Sequence, residues 1–289
     1  MIFINPKTDF AFKKIFGSEE SKDVLISFLN AILYDHEPRI EDLDILNPYV
    51  APRIRGVKDT YLDVKARITG NKTVIIEMQV LNVEGFEKRI LYNAAKAYSA
   101  QLQRGERYTT LNPVIALTIT DFEMFAALDS VVSRYVLQER EFLVDYPIYD
   151  IELVFVELPK FAKALDELDT LTDKWFYFLK HAPDLDNVPP NMETVPQIQK
   201  AFQIANQSNL SPAELEDLEH QEMFIQDSRN AIVKADRQGW ERGRQEGAIA
   251  IAKQLLNVLE PEVISRKTGL SLAEIEQLVA DYVADAADG

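Results

Sequence analysis

The chain has 289 residues, 47% hydrophobic and 27% charged, with a formal net charge of −16 and no cysteine. The composition is that of a globular protein with one sizeable core or two modest ones. Without cysteine there are no disulfides, thiolate nucleophiles or zinc–thiolate sites. The acidity is uneven: residues 1–110 hold 16 Lys+Arg against 15 Asp+Glu, and residues 111–289 hold 15 against 32. The overall charge therefore does not exclude an anionic partner for the first part.

"MIFINPKTDFAFKK" lacks the apolar core of a secretory signal, and no window approaches the roughly 20 apolar residues of a membrane span. The expectation is a cytoplasmic protein with no membrane partner. Residues 6–16 predict a helix capped by Thr8. A second helix is expected from Ser18, with Val24, Leu25, Phe28, Leu29, Ile32 and Leu33 on one face. "IEDLDILN" reads as a strand and "PYVAPRIRGVKD" as a loop.

"YLDVKARITGNKTVIIEMQV", residues 61–80, predicts two strands joined by a tight turn. Alternation sets Leu62, Val64, Ala66 and Ile68 on one face and Asp63, Lys65 and Arg67 on the other. On the second strand Val74, Ile76, Met78 and Val80 face the core, and Thr73, Ile75, Glu77 and Gln79 face away. A two-residue turn at Gly70-Asn71 leaves Asp63 and Glu77 on opposite faces. A three-residue loop, Gly70-Asn71-Lys72, sets Lys65 across from Glu77 and Asp63 across from Gln79. Converging carboxylates favour a hard cation, Mg²⁺ or Mn²⁺, which activates water and polarises a phosphoryl oxygen. The plainer alternative is a hairpin with one wet face.

Further on, "FEKRILYNAAKAYSAQLQRG" predicts a helix stopped at Gly105. "PVIALTIT" predicts a buried strand and "YDIELVFVEL" another. From Pro159 the pattern is helical, with capping boxes at Ser211/Glu214 and Ser271/Glu274. Arg89, Tyr92, Lys96 and Gln103 share one face of the helix after the hairpin. That face suits a nucleic-acid backbone or a solvated surface. His36, His181 and His220 have no ligand spacing, and Trp175 reads as core. Gly239, Gly243 and Gly247 recur every four residues and leave room for a second copy.

Asp63 followed by Glu77-Met78-Gln79, between an N-terminal and a long following helix, resembles the PD-(D/E)XK nuclease superfamily. "NPKTDFAFKKIFG", "YLDVKA", "IIEMQV", "KRILYNAAKAYSAQL" and "PVIALTITDF" resemble its recombination-promoting nuclease (Rpn) and transposase family. The resemblance implies an α/β fold with a restriction-endonuclease-like αβββαβ core and an added α-helical C-terminal region. The corresponding parts are 1–160 for the core, 161–235 for a helical extension and 236–289 for the C-terminal helices. It also implies metal-dependent DNA cleavage, with Asp63 and Glu77 as metal ligands, the Met78 carbonyl as a third, and Asp9 either as a further acidic ligand or as a first-turn acid complementing the helix dipole. The superfamily's usual lysine is replaced by Gln79, an amide that orients water but cannot take its proton. Lys65 is the first choice for the missing cation, and Arg89 or Lys96 the next. Arg89, Tyr92 and Lys96 would contact DNA. A degenerate module that binds DNA or protein without cleaving is the alternative. A homo-oligomer through the C-terminal helices is a further expectation.

Overall fold

The computed structural model describes residues 2–50 and 60–287, without the side chains of 49, 50, 60, 61 and 283–287. Most of the loop read in "PYVAPRIRGVKD" lies outside the described residues. The chain forms two compact units, Met1–Ile225 and Gln226–Gly289.

Helix α1 (Asp9–Phe16) starts where the Thr8 hydroxyl accepts the Ala11 N–H at 3.3 Å. A 3₁₀ turn over Glu19–Ser21 precedes α2 (Lys22–Leu33), so this helix begins four residues later than the sequence predicts. The expected apolar face of α2 is wholly buried. Strand β1 is Leu43–Ile45, and β2 (Tyr49–Val50) pairs with β3 (Thr60–Tyr61) as a separate ribbon. Strands β4 (Val64–Ile68) and β5 (Lys72–Gln79) form the hairpin.

Helix α3 (Phe86–Ser99) follows and stops six residues before Gly105. The Gln101 side chain binds the backbone of Asn112 at both N–H and C=O, 2.9 Å each, which draws the chain toward the next strand. Gln103 therefore lies off the helix, and the expected polar face shortens to Arg89, Tyr92 and Lys96. Strand β6 (Val114–Thr120) is buried at every position. Strand β7 (Val132–Tyr135) was not legible in the sequence, and β8 (Ile151–Glu157) was.

The sheet order is β1-β4-β5-β6-β8-β7, with β5, β6 and β8 parallel and the other neighbours antiparallel. On one face lie α1, α2, α4 (Leu171–His181) and α6 (Pro196–Ile204), preceded by the short α5 (Pro190–Glu193). Phe16, Phe28 and Trp175 interlock there, with ring centroids 4.7–5.8 Å apart. On the other face α3 packs Ala94 and Ala97 on Ile75, Val114 and Ala116. Two covered faces explain why β6 reads as an unbroken apolar run. In the hairpin the cover is partial: Ile75 of β5 is buried under α3, while on β4 Lys65 is half-buried and Arg67 exposed.

Helix α7 (Pro212–Leu255) opens with the expected capping box. Glu214 accepts from the Ser211 N–H and hydroxyl at 2.8 and 2.9 Å, and Lys14 reaches it at 2.5 Å. The Lys14 hydrogen bond, helped by Ser211, holds the Glu214 carboxyl down at about 2. This contribution to stability is present above pH 4.5 and is lost as pH falls through about 2. Ser211→Ala is expected to cost about 1 kcal/mol, read as a lowered urea midpoint at pH 7.

In the second unit α8 (Pro261–Thr268) and α9 (Leu272–Ala287) turn at Gly269, φ 77°, and bury Ile264, Leu270 and Ile275 against Ala252. Gly239, Gly243 and Gly247 have open space around them among the described residues. No described helix is long and apolar enough to cross a membrane.

Candidate active site

The hairpin turns through Thr69-Gly70-Asn71, with Gly70 at φ 78° and Asn71 at φ 57°, both left-handed. The loop has three residues, as one of the two expected geometries requires, but it lies one residue earlier. Two consecutive left-handed residues reverse the chain before Lys72, which is already extended and pairs with Ile68. The register follows: Lys65 faces Ile75 instead of Glu77, and Val64 faces Ile76. The ladder ends at Val64 and Ile76, so Asp63 lies outside it and is paired with neither Glu77 nor Gln79.

At Asp63 the strand bends. Leu62 packs on the α3 side and Val64, two residues on, packs on the opposite side, so the expected alternation breaks here. The bend turns the carboxylate along the sheet. Its Oδ2 accepts the Met78 N–H at 2.7 Å, where the β4–β5 ladder ends. In antiparallel pairing the N–H and C=O of one residue share an edge. The Met78 carbonyl therefore lies on the edge that Asp63 covers.

Two residues of α1 complete this side. Lys13 Nζ is 3.8 Å from Asp63 Oδ1 and 2.6 Å from Asp9 Oδ1. Burial, then the hydrogen-bonded Asp9 carboxyl, pushes Asp63 up to about 8 against the pull of the Met78 N–H and Lys13.

Glu77 projects toward α3, where the Asn93 amide donates to its Oε1 and Arg89 Nη2 stands 3.9 Å from Oε2. Burial raises its pKa, and Asn93 and Arg89 oppose that rise. Arg89 is held in place: Nη2 donates to Gln79 Oε1 at 2.6 Å, and the guanidinium lies over Phe86 at 4.9 Å. The Gln79 amide donates in turn to the Leu81 carbonyl at 2.8 Å.

Lys65 is half-buried, and burial followed by Arg67 lowers its pKa. Among the described residues it makes no ion pair with either acid. Tyr92 is exposed and carries Lys96 5.8 Å from its ring centre. A cleft of about 390 Å³ opens beside Asp9, Met78 and Gln79, walled by His220, Gln221 and Phe224 of α7.

The sequence reading missed Asn93, though it left a signal. Asn93 follows Phe86 and Ile90 at the apolar spacing of α3, a polar residue on a buried face. Among the described residues no group of three or more His, Asp or Glu is arranged to hold a metal ion. What remains is two carboxylates and one strand-edge carbonyl. That all-oxygen set suits a hard divalent cation, and two carboxyls raised by burial are the electrostatic deficit such a cation relieves.

Fold and site together define a mixed α/β protein with an acidic pair at the carboxyl end of a central strand. The family model described as PD-(D/E)XK nuclease family transposase matches residues 6–235, and the chain belongs to that family. No curated protein and no solved structure matches the chain.

Proposed function

We propose that the protein is a divalent-metal-dependent endodeoxyribonuclease that hydrolyses phosphodiester bonds. The observation that carries this reading is two largely buried carboxylates beside Met78 at the end of β5, Asp63 accepting the Met78 N–H and Glu77 preceding Met78 in the strand, in a chain of this family. The succession α2–β1–β4–β5–α3–β6 supports an αβββαβ core within residues 1–160.

Asp63 and Glu77 hold Mg²⁺ or Mn²⁺ with the Met78 carbonyl, and Asp9 adjusts the charge on Asp63. The bound ion would polarise the scissile phosphate and lower the pKa of its water. Asn93 fixes the Glu77 carboxylate, leaving its second oxygen toward Arg89. Gln79 aims the Arg89 guanidinium, which offsets charge on the phosphate in place of the superfamily's lysine. This assigns to Arg89 the cationic role first expected of Lys65, and gives Gln79 a positioning role. Tyr92 and Lys96 extend the same helix face along the DNA backbone.

Supercoiled plasmid is expected to be nicked in Mg²⁺ or Mn²⁺ and left intact in EDTA. Plasmid left intact in every divalent metal overturns the assignment. Arg89→Ala is expected to lower the rate about 100-fold. Lys65→Ala is expected to change it by less than about threefold, since Lys65 faces Ile75. Single-turnover rates on a labelled duplex separate the two.

One observation favours the second reading, a module that binds DNA or protein without cleavage. The Gln79 side chain is engaged at both ends within the protein. Plasmid retained but uncut in any metal is the result that reading expects.

A further inference from the structure

The cleft of about 390 Å³ beside Asp9, Met78 and Gln79 is walled by α7, and that wall is fixed in place. The Phe10 N–H of α1 donates to Gln221 Oε1 at 3.0 Å, and Lys14 holds Glu214 nearer the start of α7. The volume is within the range of single small-molecule sites, about 300–1,000 Å³.

The lining is of three kinds. Met78, Val80, Leu81, Phe224 and Ile225 supply apolar surface, and the Phe224 ring is 67% exposed with no ring against it among the described residues. Lys7 and Asp9 supply charge, but each is already paired. Lys7 Nζ is 3.0 Å from Asp121 Oδ1, and Asp9 Oδ1 is 2.6 Å from Lys13. The third kind is hydrogen-bonding. Gln79 is engaged at both ends, whereas the Gln221 amide N–H₂ and the His220 ring have no partner among the described residues.

A bare aromatic face, paired charges and spare hydrogen-bonding groups fit a flat, uncharged heteroaromatic ring with polar edges. We infer that the cleft seats one unstacked nucleobase of the DNA strand that passes Asp63 and Glu77. Phe224 is the face on which it stacks, and Gln221 and His220 bond its edge. The inference rests on the nuclease reading for its ligand. It extends that reading to a substrate class: DNA with a nucleotide free of the duplex stack beside the scissile phosphate.

Charge orients the strand. Asp217, Glu219 and Glu222 lie on α7 outside the lining, while Arg89 and Lys96 lie on α3, across the sheet from α1. Phosphates are drawn to the α3 side and repelled from α7, so the uncharged base is the part that turns toward α7. A base within a duplex has both faces covered by its neighbours. Only one that has left the stack can lie on Phe224.

The test is fluorescence anisotropy in EDTA at low salt, with two labelled probes of equal length. One is an oligothymidylate and the other an abasic oligomer with the same phosphates. Wild type is expected to bind the oligothymidylate at least about tenfold more tightly. Phe224→Ala is expected to bring that ratio within about twofold of unity, and Phe224→Tyr to preserve it. Gln221→Glu keeps the acceptor for the Phe10 N–H and deletes the donor, so it should lower the ratio about threefold. Scoring each variant as a ratio of two probes cancels any general change in affinity for phosphates. Equal affinity of wild type for both probes overturns the inference, as does a base preference that survives Phe224→Ala. Binding of neither probe overturns it too, and makes an apolar peptide the better occupant. The nuclease reading is decided separately, by metal-dependent nicking of plasmid.

Discussion

Asp63→Asn and Glu77→Gln proteins are expected to lose cleavage by at least about 1,000-fold while keeping, and for Asp63→Asn improving, thermal stability in EDTA. The direction follows from the site's electrostatics. The Asp63 carboxyl sits near 8 in the fold because burial and Asp9 oppose its ionisation, against 3.8 in an unfolded chain. A group whose folded pKa is raised stabilises below its unfolded value and loses that contribution as pH rises through the folded one. Metal-free wild type should therefore lose stability between about pH 4 and 8, and Asp63→Asn should flatten that slope. Mg²⁺ should raise the melting temperature of wild type at pH 8 and leave that of both variants unmoved. A variant that still cuts, or one that still responds to Mg²⁺, would refute the ligand assignment. A variant that fails to fold would show instead that the Met78 N–H needs a carboxylate.

The second large effect lies away from the site. Glu157 ends β8 fully buried, accepting the Met124 and Phe125 N–H groups at 2.5 and 3.0 Å and Lys160 Nζ at 2.7 Å. Burial alone would raise its carboxyl, but Lys160 and the two N–H groups outweigh burial and hold it low. Glu157→Ala leaves an ammonium that is 7% exposed with the Phe125 carbonyl but without its carboxylate, together with two orphaned N–H groups. The expected loss is about 3–5 kcal/mol, read from urea unfolding. Replacing both Glu157 and Lys160 by apolar residues of similar size should recover part of it. A Glu157→Ala loss under about 1 kcal/mol would mean that water reaches the pair.

The sequence disclosed what depends on local chemistry and on burial from two sides. "VIALTIT" predicted β6 because an unbroken apolar run fits only a strand covered on both faces. Thr8, Ser211 and Ser271 marked helix starts because capping is a short-range hydrogen bond. Asp63 and Glu77 stood out as acids within apolar strands.

What alternation could not fix was the register. Whether Gly70 alone or Gly70 with Asn71 turns left-handed is not written in the alternation, and it moves every pair along the ladder. The bend at Asp63 breaks the period on which the reading depends. The end of α3 was set by Gln101 binding Asn112, eleven residues away, which no helix-stop signal encodes. The ribbon between β7 and β8 was hidden for a related reason: Leu137, Glu139, Val144 and Tyr146 share a face only once Gln138 bridges to Asp145 and joins two segments that separately show no strand period.

The hydrogen bond from Met78 to Asp63 has a consequence for affinity. A carboxylate on a free loop would lose its rotational freedom each time a ligand arrived, and that loss would weaken binding. Here the sheet's own edge fixes the Asp63 rotamer, so the freedom is lost once, when the chain folds. In the proposed metal site this carboxylate is therefore set before an ion enters, and its orientation is as durable as the end of β5.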